Sequence, residues 1–358
     1  MAGAGDIVRV SIPFAAGVAS AAFFPPGQSL LPFAASAVTV AAAISFTYAC
    51  REGASSPSVC LCFFLCGAFC SLTHMFAGMQ VPYSHVGADT GAMESLCAFI
   101  DSIGFGYENT GALAKALFTG SRKDIPAETV QAFRDSGAAH ILALSGLHMG
   151  IIYGIASCLL SILGNSRTAA LARSAAIIFA AGAFTRMTGS SPSTVRAFLF
   201  ITLNELSRLA PGRRRSPISV LCTALMIQLC SNPPVIKSLG FQLSYLAMLG
   251  IFTVYPKLES WYPQSGRFDI LRKIWCSMAM SISCQLFTAP LVFLRFGTLP
   301  RYFLLTNLIS LPVTEAFMVV CFACIAFSAI GWCPDIMKSP ADFLARALIF
   351  CLDTISGL

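Results

Sequence analysis

Long apolar runs, separated by short connectors rich in proline, glycine and charge, recur from one end of the chain to the other. Runs able to cross about 30 Å of hydrocarbon predict spanning helices over 8–24, 31–49, 57–73, 138–163, 170–187, 193–209, 216–231, 238–256, 274–294, 302–330 and 341–357. The runs are continuous rather than alternating, which argues against a membrane β-barrel. The expected fold class is therefore all-α, a polytopic transmembrane helix bundle of about ten or eleven spans. Connectors such as PPGQ at 25–28 and APGRRRSP at 210–217 divide the runs. Run 302–330 is too long for one straight helix, and Pro312 predicts a break or kink within it.

One polar interruption is much longer than the rest. The pattern divides the chain into N-terminal spans over 1–73, a short extramembrane segment over 74–137, and a transmembrane domain over 138–358. The middle segment opens with turn-like VPYSHVGADTG, followed by helical patterns near 92–100 and 111–119. A further helix opens after Asp124-Ile125-Pro126, with Asp124 as the expected cap and Pro126 in the first turn. Val130 and Phe133 fall on one side of it and Gln131, Arg134 and Asp135 elsewhere, which suits a helix lying on a bilayer surface.

Composition sharpens the class. The chain is 56% hydrophobic and 11% charged, whereas about 25% of a soluble domain is charged. The net charge of +7 has its commonest cause in basic cytoplasmic loops. Arg208, Arg213, Arg214 and Arg215 predict a cytoplasmic loop there, which puts the N-terminus inside, 74–137 outside and the loop at 257–273 inside. Only Arg9 precedes the first apolar run, and a retained span is expected rather than a cleaved leader. Most of the 15 cysteines lie inside apolar runs. Cys62, Cys66 and Cys70 share a helix face and Cys321 and Cys324 form a CxxC. No histidine or carboxylate completes a tetrahedral set beside them, so they read as small packing residues. No metal and no cofactor is expected.

The chemistry concentrates in 126–152, PAETVQAFRDSGAAHILALSGLHMGII. It carries His140, Ser145, Gly146 and His148 into an apolar run, and such residues are costly in hydrocarbon and mark functional sites. His140 and His148, eight residues apart, would lie nearly on one helix face, with Ser145 in reach of His148. A serine nucleophile with a histidine base is one reading. ALSG at 143–146 resembles the GxSG of rhomboid-type intramembrane proteases, but Ala143 replaces the first glycine and both partners come from one short stretch. Metal binding is a weaker reading, since HExxH is absent. The best-supported reading is a polar lining or interhelical contact, with Gly146 and Gly150 as a small-xxx-small ridge. Arg196, Gln228, Gln242, Ser244, Gln285, Asn307 and Glu315 add polar groups in other spans, which together would permit a hydrated path.

The run KALFTGSRKDIPAETVQAFRDSGAAHILALSGLHMGIIYG (115–154) resembles the signature of ComEC-type competence proteins. So, in order, do SPSTVRAFLF (191–200), SNPPVIKSLGFQLSYLAMLGI (231–251) and FTAPLVFLRFGTLPRYFLLTNLISLPV (287–313). The matching positions are His140, Ser145, Gly146, His148, Arg196, Gly240, Phe241, Gln242, Ser244, Asn307 and Pro312. The resemblance implies a non-enzymatic channel subunit in the cell inner (plasma) membrane, passing single-stranded DNA into the cytoplasm during natural transformation. Arg196, Gln242, Phe241 and the two histidines are the residue types a DNA path needs for phosphates and bases.

Many members of that family also carry an OB-like domain and a metallo-β-lactamase-like domain. Here 74–137 is too short for the first, and no HxHxDH follows residue 315. No GxxxxGK[ST] phosphate loop occurs either. The expected partners are thus single-stranded DNA, the lipid bilayer, a separate competence ATPase, a DNA receptor, a nuclease, and other copies of the chain in a homo-oligomer. The alternatives are an intramembrane serine hydrolase using Ser145 and His148, and a shortened, non-functional member of the family.

Overall fold

Helix is the regular structure throughout the described part of the chain, and no strand occurs among the described residues. The computed structural model describes residues 4–23, 34, 37–42, 57–76, 78, 90–164, 166–209, 216–263, 269–297, 299 and 302–357. The connector at 25–28, most of the run at 31–49, nearly all of 81–91, Arg213 to Arg215 and Arg267 lie outside them.

The helices are α1 (Ala4–Phe23), α2 (Pro57–Phe76), α3 (Thr90–Ser102), α4 (Glu108–Thr119), α5 (Ala127–Asp135), α6 (Gly146–Leu160) and α7 (Arg167–Met187). They continue with α8 (Pro192–Leu209), α9 (Pro217–Ser231), α10 (Leu239–Thr253), α11 (Tyr255–Glu259), α12 (Ile270–Phe296), α13 (Phe303–Ala329) and α14 (Asp335–Ser356). Five stretches are long and apolar enough to cross a membrane: Val59–Phe76, Arg167–Met187, Leu239–Glu259, Ile270–Phe296 and Phe303–Ala329. Shorter apolar helices cover Ile7–Phe23, Gly146–Leu160 and Pro217–Ser231. Large apolar side chains on their outer faces stand exposed, such as Phe179 at 78% and Leu294 at 80%. In water such a surface would aggregate, while in lipid it meets its own kind. The chain is an all-α polytopic membrane protein.

Several expectations need correction. The run at 138–163 is not one helix: 136–145 is a turn, and α6 starts only at Gly146. Gly137 has φ +84, a left-handed conformation that ends α5. Pro312 does not divide its helix, because α13 continues through it for 27 residues. Losing one hydrogen bond to proline costs less than opening a whole turn of backbone where no water can serve it. The runs at 193–209 and 341–357 belong to α8 and to the amphipathic α14, and neither is among the stretches long and apolar enough to cross a membrane. The buried residues of α14, Ala341, Ala345, Leu348, Leu352 and Ile355, recur at helical spacing.

Glycines let the helices meet backbone to backbone. A Cβ built on Gly17 of α1 would lie 1.9 Å from the Phe64 carbonyl oxygen of α2, and one on Gly67 of α2 would lie 2.1 Å from the Phe14 oxygen of α1. Both glycines stand three residues after the phenylalanine whose carbonyl faces the partner, so one F-x-x-G pattern serves both sides. Gly250 of α10 is packed as tightly on Ser283 of α12, at 2.2 Å from its carbonyl oxygen. Small residues at membrane-helix crossings permit this close approach, and dispersion contacts then hold it.

The largest core joins α4, α5 and the 138–142 turn to α13 and α14, with Leu113, Leu117, Phe133, Ile141, Phe317 and Leu348 nearly fully buried. Polar contacts register this block. Asp342 of α14 accepts from the Gly106 N–H at 2.9 Å and from the Thr110 hydroxyl at 2.7 Å. Lys115, itself buried, ion-pairs with Asp101 at 2.7 Å and Asp124 at 2.6 Å. Asp124 is therefore a salt-bridge partner rather than the helix cap expected of it; Pro126 occupies the cap position of α5 with no side-chain cap bond.

Candidate functional site

Ser145 sets where α6 begins. Its backbone is extended (φ −126, ψ 171), and its Oγ accepts from the Leu147 N–H at 3.2 Å. His148 turns back to close the box: its Nδ1 accepts from the Ser145 N–H at 3.1 Å and lies 3.0 Å from Ser145 Oγ. This arrangement satisfies donors that a helix start otherwise leaves unpaired. Because Nδ1 accepts, a neutral His148 carries its proton on Nε2. That Nε2 is buried and has no hydrogen-bond partner, and His148 as a whole is 1% exposed.

His140 takes no part in this hydrogen-bonded unit. It lies on the turn before α6, is exposed, and its Nδ1 is 3.2 Å from the Gly137 carbonyl oxygen. The expected shared helix face with His148 does not exist, since the Ser145 cap starts the helix after His140.

Gly146, the first residue of α6, meets Arg196 of α8. A Cβ there would lie 2.9 Å from Nη2 of Arg196 and 3.9 Å from Cζ. Gly150, by contrast, faces open space, so the expected ridge with Gly146 is not a packing surface. Arg196 is 6% exposed and its Nε has no hydrogen-bond partner. Among the described residues no carboxylate lies within ion-pair distance of the guanidinium. Its electrostatic neighbours are Tyr245 of α10 and Cys284 of α12. Gly146 of α6 meets this arginine of α8, and residues of α10 and α12 lie within its electrostatic reach.

The start of α8 is tied into the same place. Ser193 Oγ donates to the Leu144 carbonyl at 2.7 Å, and the Thr194 N–H donates to Ser191 Oγ at 3.3 Å. Gln228 of α9 donates to the Pro192 carbonyl at 3.1 Å and accepts from the Tyr245 hydroxyl at 3.0 Å. The Phe241 and Tyr245 rings pack with centroids 4.6 Å apart. Ser145, Gly146, His148, Arg196 and Phe241 are therefore brought into one connected region. Gln242 instead braces the preceding turn through the Ile236 carbonyl, 2.7 Å away. Gly240 and Pro312 are exposed and Ser244 is half-buried. Asn307 sits beside Thr306, whose hydroxyl donates to the Ser136 carbonyl at 2.7 Å, and its Oδ1 is buried without a partner.

One buried polar group goes unnoticed in the sequence pattern. Glu205 of α8 is 2% exposed and accepts from Tyr153 of α6 at 2.7 Å, Ser174 of α7 at 2.6 Å and Arg208 at 3.1 Å. A carboxylate in an otherwise apolar run was the available signal. Its bonds are filled, so it locks three helices. Arg196 presents the opposite case: a cation and a helix N-terminus together, with no anion to match. No group of three metal-ligating side chains occurs among the described residues.

The model of the family described as "Competence protein" matches residues 117–358. The chain is similar to ComE operon protein 3 of Bacillus subtilis (strain 168), 25% identical over 205 residues, which cover 57% of this chain and 25% of that protein. It is also similar to an uncharacterized protein of Aquifex aeolicus (strain VF5), 30% identical over 201 residues, covering 54% of this chain and 42% of the relative. The chain thus matches less than half the length of either curated relative. No solved structure matches it. With a family match that extends over most of its length, the chain belongs to the Competence protein family.

Proposed function

We propose that this membrane protein forms a conduit that passes single-stranded DNA across the inner membrane during natural transformation. The observation that carries the reading is Arg196, a buried arginine with no carboxylate partner among the described residues, where α6 meets α8. An uncompensated charge at that depth is expensive, and a polyanion moving past it would supply the missing partner. In this reading the chain catalyses nothing: a separate competence ATPase pulls the strand, a receptor delivers it and a nuclease removes its complement. Deleting the gene and following labelled DNA into the cytoplasm tests it. Entry should fall to background, and entry at the wild-type rate would reject the conduit.

A second reading has one observation in its favour, the 3.0 Å approach of Ser145 Oγ to His148 Nδ1. A hydrolase would use them as nucleophile and base. Against it, Oγ already caps Leu147 and Nδ1 already receives the Ser145 N–H. Nor is the far ring nitrogen, Nε2, oriented by any partner. A serine-reactive probe that labels wild type and not Ser145→Ala would favour the hydrolase.

A further inference from the structure

We infer that Arg196 and the N-terminus of α6 form a binding station for a single phosphoryl oxyanion. Two independent features meet there. The guanidinium is nine-tenths buried, has no carboxylate among the described residues, and leaves Nε without a partner. It lies against Gly146, the first residue of a 15-residue helix, so a cation sits at the positive end of a helix dipole. The two repel each other unless an anion lies between or beside them, and helix N-termini take up such anions readily. The site thus offers donors and positive charge with no acceptor to match.

The chemistry selects among anions. A planar guanidinium presents paired N–H groups that match two oxygens of a phosphate, which a spherical chloride cannot satisfy as well. Gly146 is part of the site rather than a hinge: any Cβ there would displace the guanidinium from the helix end. The Ser145–His148 box already occupies the Leu147 and Ser145 N–H groups, so the guanidinium supplies the donors for the anion and the helix end adds its positive dipole. For its source of phosphate the inference rests on the conduit reading, in which successive backbone phosphates would pause here one at a time. A lipid headgroup carries the same chemistry.

The test uses the full chain in phosphatidylcholine nanodiscs, titrated with inorganic phosphate and followed by calorimetry. Phosphate should bind the wild type, and Arg196→Gln should weaken binding about 10- to 100-fold, the loss of a charge-assisted contact. Arg196→Lys should recover only part of it, because it keeps the charge and loses the fork. Gly146→Ala should weaken binding and Gly150→Ala should not; if Gly146→Ala fails to fold, the two Arg196 variants carry the test. Equal affinity in wild type and Arg196→Gln would overturn the station, as would absence of phosphate binding. A short oligothymidylate that displaces phosphate identifies DNA as the source. Phosphate binding that depends on Arg196 but ignores the oligothymidylate keeps the station and defeats the DNA reading. In that case, loss of phosphate binding in phosphatidylglycerol discs would assign the site to a lipid headgroup. Oligothymidylate binding that survives Arg196→Gln keeps DNA as a ligand and overturns the station.

Discussion

Gly146 and Arg196 share one space: a Cβ on the glycine would stand 2.9 Å from a terminal nitrogen of the guanidinium. The relationship links the start of α6 to the first turns of α8, and any side chain at position 146 would have to shift the guanidinium. Substituting either should disturb the same function, although one variant adds an atom and the other removes a charge.

Ser145 acts as a helix cap in this account. Ser145→Asn, which preserves capping, should leave DNA uptake near wild type, while Ser145→Ala should cost about 1 kcal/mol of stability. Thermal unfolding of the detergent-solubilised protein together with a transformation assay separates the two. Loss of function in Ser145→Asn at normal protein level would point back to a nucleophile.

Glu205 should behave as a lock. Ser174→Ala removes one of its donors and should destabilise the protein by about 1–3 kcal/mol, as expected for a hydrogen bond to a charged group. The thermal midpoint checks this, and an unchanged midpoint would mean that the α6–α7–α8 clasp contributes little.

The α1–α2 contact should tolerate no added atom. Gly17→Ala or Gly67→Ala would drive a methyl group into a backbone carbonyl of the neighbouring helix, so each should lower the midpoint or the yield. Gly150→Ala, which meets nothing within 4 Å, serves as the control and should be neutral or slightly stabilising.

Lys115 gives the protein an alkaline limit. Burial alone would lower its ammonium, but hydrogen bonds and charge from Asp101 and then Asp124 outweigh it, and its pKa rises above the ordinary 10.5. A lysine raised on folding contributes stability in full below its unfolded value and loses it as pH climbs through the folded value. Both carboxylates are more than half exposed, so solvent screening keeps the effect modest. Unfolding midpoints of wild type and Lys115→Gln should differ at neutral pH and converge above about pH 10.5. A gap that persists there would contradict the assignment.

Much of the fold is legible in the order of apolar runs, because spanning helices need only length and hydropathy to declare themselves. Ser145 and His148 do meet, as their spacing suggests, but through the capping box of α6 and not across a helix face. His140 misleads for a local reason: spacing predicts a shared face only if the helix already includes both residues, and a serine cap decides otherwise. Asp124 misleads through a competing partner, the Lys115 ammonium. Arg196 is recognisable as a costly residue, but its meeting with Gly146 depends on how α6 and α8 pack. The F-x-x-G pair at Phe14–Gly17 and Phe64–Gly67 was in plain view, yet only packing reveals that each glycine faces the other helix's carbonyl.

The most direct test of the central claim replaces Arg196 by glutamine in the living cell and follows labelled DNA into the cytoplasm, with membrane levels of the protein matched to wild type. The account predicts entry reduced about ten-fold or more, with partial recovery in Arg196→Lys. Entry of DNA into Arg196→Gln cells at the wild-type rate would contradict it.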